Sequence, residues 1–198
     1  MNSEVLNMTL IRFFAVSVLS VIFASSCSAE DKAGSESLES VFQQYLSPHT
    51  IVLNKGKPAS VRGDFNGDGF SDVAVVFLPA TEIAASDLLH VSRLRRSPEF
   101  FSSGKPHRSL AIFHGGKAGW SSGVIQVFVL LDDSGALETP SFELLISRVD
   151  GNAYSDLVSG IPVEPAGDLI ILPTEAGIDT YLYWNRDRYK LFEPEDIP

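Results

Sequence analysis

The stretch Asp64-Phe65-Asn66-Gly67-Asp68-Gly69-Phe70-Ser71-Asp72, followed directly by Val73-Ala74-Val75-Val76-Phe77-Leu78, decides how the chain is read. Oxygen-bearing side chains stand at its first, third, fifth and ninth positions, and Gly67 and Gly69 let the backbone curl until those oxygens face one point. Carboxylates crowded this closely repel one another unless a hard cation sits among them. Calcium suits the set, because it accepts about six to eight oxygens in flexible geometry, whereas zinc prefers nitrogen or sulfur. The expected ligands are the side chains of Asp64, Asn66, Asp68 and Asp72 and the backbone carbonyl of Phe70. An EF-hand would place a bidentate Glu at the twelfth position and continue into a helix. Here Val75 stands at that position, inside an apolar run with strand chemistry.

Residues 63–75, from Gly63 through the loop to Val75, resemble the calcium loop and following strand of FG-GAP or VCBS-type repeats, found in integrin α-subunit propellers and many bacterial surface proteins. The resemblance covers this one short segment and implies a calcium-binding loop built into a β-rich domain. A second segment, Arg148-Val149-Asp150-Gly151-Asn152-Ala153-Tyr154-Ser155-Asp156-Leu157, can be laid over the first, with Arg148 in the place of Asp64. Two readings of it stay open. One is a degenerate repeat in which the guanidinium replaces the ion by pairing with Asp150 or Asp156; the other is an ordinary Asp-, Asn- and Gly-rich turn.

The N-terminus has the pattern of an export signal. A short basic region at Arg12 precedes the apolar run Phe13 to Ala24, which falls short of the about 20 residues needed to span a bilayer, and Ala24-Ser25-Ser26 leads to Cys27, the chain's only cysteine. This resembles a bacterial lipoprotein signal, which implies removal of residues 1–26 and a lipid on Cys27; ordinary signal-peptidase cleavage nearby is the alternative. Glu4 is out of place before a signal core and points to Met8 as the true start. Residues 27–36 are then the lipidated cysteine and a small polar tether. Ser28 after the cysteine, rather than Asp, resembles outer-membrane sorting facing the periplasm in enteric bacteria.

Residues 37–198 suit one domain. The fold expected is mainly β, a compact antiparallel sheet or sandwich with an N-terminal helix and one short inserted helix. Ser37 to Leu46 is amphipathic and is closed by Pro48. Strands are expected at Ile51–Leu53, Val73–Leu78, Leu110–Phe113, Val124–Leu131, Phe142–Ile146, Leu169–Leu172, Tyr181–Trp184 and Tyr189–Phe192. Asn185-Arg186-Asp187-Arg188 predicts a terminal hairpin that brings Trp184 near Tyr189. The inserted helix is expected over Asp87 to Arg96, from the spacing of Leu88, Val91 and Leu94. A propeller, with at least four blades of about 40–50 residues, does not fit the length.

The formal net charge of −10 argues against nucleic acid, which needs a clustered positive surface. One basic island exists, Arg93, Arg95, Arg96, Lys105 and Arg108, and it reads either as a solvated face or as a docking surface for anionic lipid or an acidic partner. No complete catalytic constellation is present. Gly119-Trp120-Ser121-Ser122-Gly123 matches a nucleophile elbow, but a strand-like run and no histidine follow it. Ser102-Ser103-Gly104-Lys105 lacks its companion motifs, and the Arg62-Gly63-Asp64 tripeptide would turn its aspartate toward the ion. His49, His90, His107 and His114 show no metal-ligand spacing. The sequence therefore predicts a non-enzymatic, exported, lipid-anchored, calcium-binding envelope protein, a structural or interaction module. The alternative is an inhibitor or receptor-like binder of a protein or glycan through residues 79–108, and an envelope hydrolase ranks below both.

Overall fold

A computed structural model describes residues 30–94, 107–121, 123–132, 137, 145–147, 160–173 and 179–194, with the backbone alone for 30–37, 145 and 147. The contacts divide the chain into Met1–Glu36 and Ser37–Pro198. Within the first unit, the described residues are the start of the helix α1 (Glu30–Leu46). That helix begins earlier than the expected Ser37. Once a buried turn has nucleated a helix, each added residue gains a hydrogen bond, and Glu30 and Asp31 in the first turn suit the positive end of its dipole. The stretch expected to be a tether is thus helical from Glu30 onward.

The second unit is mainly β, its strands pairing antiparallel except for one parallel pair, and the described residues form neither a closed barrel nor a propeller. Its large sheet runs β1 (Thr50–Ile51), β5 (Asp72–Leu78), β7 (Ser109–His114), β8 (Gln126–Asp132), β6 (Leu89–Leu94), with β4 (Ser60–Gly63) also paired to β5. β1 and β4 share one edge of β5, and between them the small hairpin β2 (Leu53–Asn54) and β3 (Lys57–Pro58) is thrown out as an excursion. A second sheet follows the order β12 (Tyr189–Phe192), β11 (Thr180–Trp184), β10 (Leu169–Leu172), β9 (Leu145–Ser147).

Both faces of the large sheet are covered, which explains why β5, β7 and β8 read as unbroken apolar runs. Side chains alternate across the strands. Val73, Val75, Phe77, Ala111, Phe113, Val127 and Val129 meet Leu38, Val41, Phe42 and Leu46 of α1. Ala74, Val76, Leu110, Ile112, Phe128 and Leu130 meet Ile170, Leu172, Leu182 and Tyr189 of the second sheet. The layers are therefore helix, sheet, sheet. Phe42 anchors the first interface, its ring centroid 5.6 Å from that of Phe77 and 6.4 Å from that of Phe113. Burial of such a side chain contributes roughly 1.5–3 kcal/mol.

The inserted helix is a correction. Residues 89–94 form β6, which lies parallel to β8 with Leu89 opposite Val127 and Leu94 opposite Asp132. The spacing of Leu88, Val91 and Leu94 fits a helix locally, but period two prevails in the fold. Leu89 and Val91 pack on the helix side, while His90 stacks on Phe128 and Leu94 joins the opposite core. Pairing with a strand more than thirty positions onward, absent from any local window, decides it.

Candidate functional site

The oxygen-rich stretch is the connection of the β4–β5 hairpin, closed by Gly63 pairing with Asp72. Its interior is organised by side chains binding the loop's own amides. Asp64 Oδ1 accepts from the backbone N–H of Gly67 at 2.8 Å and of Asp68 at 3.0 Å, and Asp64 Oδ2 accepts from Gly69 N–H at 2.8 Å. Asn66 Oδ1 accepts from Asp68 N–H at 3.0 Å, and Asp68 Oδ1 accepts from Phe70 N–H at 2.9 Å. Asn66 Nδ2 donates to Asp68 Oδ2 at 2.9 Å. The structure thus joins Asp64, Asn66 and Asp68 directly. Phe70 is half-buried beside them and contributes its N–H to the same network.

Asp72 lies beneath the loop and is fully buried. Its Oδ2 accepts from Phe65 N–H and its Oδ1 from Gly115 N–H, each at 2.9 Å, so it ties the loop's entrance to the end of β7. Burial pushes its pKa up to about 7, opposed by the amide bonds from Gly115 and Phe65 and reinforced by the charges of Asp68 and Asp64. Asp72 therefore feels the field of both loop carboxylates.

Two glycines set the loop's shape. Gly67 (φ 74°) and Gly69 (φ 84°) are in the left-handed region. Gly67 is further constrained by space, since a Cβ there would collide with the carbonyl oxygen of Ala166. The segment Ala166-Gly167-Asp168 is clamped on the loop. Asp168 N–H donates to the Asp64 carbonyl at 2.8 Å, and Asp64 N–H donates to Asp168 Oδ2 at 2.9 Å.

On the other flank is a polar and aromatic cluster. His114, at the end of β7, is buried, and its Nδ1 lies 3.3 Å from Asn66 Nδ2 while its Nε2 lies 2.7 Å from the Tyr189 hydroxyl. Burial lowers its pKa to about 4, with Asp68 opposing and His90 adding to the shift. Burial likewise raises the Tyr189 phenol well above its usual value, helped by Asp72, Asp64 and Asp68. Ring centroids of Trp184 and Tyr189 are 5.0 Å apart across the terminal hairpin, as its turn sequence predicts, and Phe128 is 4.9 Å from Trp184.

Sequence reasoning missed Asp168, His114 and Tyr189 as neighbours of the loop. The available signals were Gly167-Asp168 before a strand and a histidine ending an apolar strand, and neither encodes its distance from Asp64. Other sequence features are placed away from chemistry. Trp120 is buried under the Arg62 guanidinium, 5.1 Å from its ring centroid, in the turn that carries Ser121. Arg108 donates from Nη1 to the Leu137 carbonyl at 3.3 Å, and Arg93 is exposed on β6. Arg95, Arg96, Lys105, Cys27 and the Arg148–Leu157 segment lie outside the described residues.

Among the described residues, no three His, Cys, Asp or Glu side chains converge to hold a metal by themselves, so an ion in this loop needs the Asn66 amide and backbone oxygens as well. The donor set is all oxygen, as a hard cation requires. Asp64 Oδ1 is already taken up by two N–H groups, whereas Asp64 Oδ2 and both oxygens of Asp68 and of Asp72 accept one each and keep a second lone pair for an ion. Comparisons of the chain with family models, with curated proteins and with solved structures find no match.

Proposed function

We propose that the Asp64–Asp72 loop holds a calcium ion and that the protein is a non-enzymatic structural or interaction module of the bacterial envelope, exported and anchored by a lipid on Cys27. The observation that carries the calcium reading is the gathering of the Asp64, Asn66 and Asp68 oxygens on one hairpin loop above the buried Asp72 carboxylate, with no basic residue between them in sequence. When bound, the ion would neutralise that charge and fix the hairpin, so its binding energy would add to folding. Asp64, Asn66, Asp68, the Phe70 carbonyl and Asp72 are the residues that would hold it. Extracellular calcium modules work at dissociation constants of roughly 10⁻⁴–10⁻³ M, so such a site would fill only after export. The likeness of the loop to FG-GAP and VCBS repeats supports the same reading.

The anchor rests on the Ala24-Ser25-Ser26-Cys27 pattern, and no described helix is long and apolar enough to cross a membrane. Calcium titration of the full chain in detergent, with magnesium as control, tests the ion. The expected result is a calcium-specific rise in melting temperature that Asp68→Ala loses; an unchanged melting temperature refutes it. Incorporation of labelled fatty acid, lost in Cys27→Ala, tests the anchor.

A further inference from the structure

The Asn66 side chain does two things at once. Its Oδ1 accepts from Asp68 N–H at 3.0 Å, and its Nδ2 donates to Asp68 Oδ2 at 2.9 Å. Those two partners fix which end of the amide is which, since the flipped amide would set NH₂ against an N–H and oxygen against a carboxylate. The second Nδ2 hydrogen then faces His114 Nδ1 at 3.3 Å. A nitrogen that receives a donor carries no proton, so the ring proton is on Nε2, where it donates to the Tyr189 hydroxyl at 2.7 Å. His114 is 1% exposed and Tyr189 9%, so water does not substitute freely for either bond. Tyr189 faces Trp184 across β11 and β12, and Phe128 touches His114, Trp184 and Tyr189 with ring centroids 4.8, 4.9 and 5.5 Å away.

We propose that Asn66 locks His114 as its Nε2–H tautomer and, through it, holds Tyr189, so that order in the oxygen-rich loop passes across the sandwich to the terminal β11–β12 hairpin. The hydrogen-bonded chain has a direction: amide to imidazole to phenol. Anything that immobilises Asn66 stabilises the last hairpin, and by linkage anything that seats the hairpin stabilises the loop. Asn66, His114 and Tyr189 are positioning residues in this scheme. Only its ion-dependent arm rests on the calcium reading.

The test uses the full chain in detergent with labelled histidine. In chelator at neutral pH, nitrogen spectra should show His114 protonated on Nε2. Asn66→Asp made together with Asp68→Asn keeps a donor facing an acceptor between the two side chains while turning an acceptor toward His114, so the proton should move to Nδ1 and the Tyr189 hydroxyl should turn to donate to Nε2. A wild-type Nδ1–H form, or no switch in the double variant, overturns the proposal. A loss of packing alone would not exchange one tautomer for the other.

Amide exchange then reads the hairpin. Tyr189→Phe keeps the ring and removes the hydroxyl, and should speed exchange across Thr180–Phe192 by roughly tenfold, as expected when a buried donor loses its partner, while α1 is unchanged. Equal exchange in variant and wild type overturns the proposal. Calcium should slow hairpin exchange in the wild type and do so much less in Tyr189→Phe; an equal slowing in both also overturns it. If the tautomer switch and the chelator exchange behave as expected but calcium changes nothing, the coupling stands and the calcium reading fails.

Discussion

The two ends of β5 are held by opposite means. At Phe77 the strand is pinned by apolar contact, with Phe42 at 5.6 Å and the His49 ring at 5.7 Å, and it pairs with Ile51. At Asp72 it is pinned by a buried carboxylate that accepts two backbone N–H groups, beneath a loop bearing two further aspartates. Hydrophobic contact is non-directional and indifferent to ions, so the Phe77 end needs only volume filled. The Asp72 end needs every bond aimed and its charge balanced. One strand can thus carry a permanent end and a conditional one.

Truncating the permanent end should do the most damage. Phe42→Ala is expected to lower stability by roughly 3–5 kcal/mol, with the same loss in calcium and in chelator, measured by denaturant unfolding. A loss that calcium repairs would mean that the two ends are not separable.

Asp72→Asn attacks the conditional end. An amide can accept one of the two N–H groups now bound by Asp72 but turns its own NH₂ toward the other, leaving a buried donor unpaired at roughly 1–3 kcal/mol. The same denaturant curves should show this loss in chelator, together with a flattened response to calcium. Gly67→Ala comes next. A side chain in the left-handed region that also meets the Ala166 carbonyl should lower stability by about 1–2 kcal/mol, whereas Gly69→Ala has the backbone strain without the collision and should lose less. Melting temperatures of the pair separate strain from the clamp at residues 166–168.

Asp68→Ala is expected to change least in chelator, because Asp68 is exposed and its bonds stay within the loop. Its signature is the missing calcium-dependent rise. A rise equal to wild type would remove Asp68 from the ligand set and break the contrast between the two ends.

Much of the strand pattern was legible because burial on both faces leaves continuous apolar runs, and Leu169–Leu172 and Tyr189–Phe192 have their expected bounds. β4 was not legible. Ser60-Val61-Arg62-Gly63 has no apolar run, and it is a strand because Ser60 to Gly63 pair with Val75 to Asp72. Over residues 89–94 a spacing of three suited a helix and an alternation of two suited a strand. The parallel ladder to β8 chose between them.

By itself the sequence determined the chemistry of the loop: which oxygens stand at which positions, where glycine permits the turn, and that a strand follows. It did so because those properties are local, set by side-chain type and backbone freedom over a few residues. Only the tertiary structure decided what surrounds the loop. Asp168 against Asp64, Gly115 against Asp72, and His114 between Asn66 and Tyr189 all join residues more than forty positions apart. Such pairings depend on sheet register and on the packing of one sheet over another, which no short window of sequence contains.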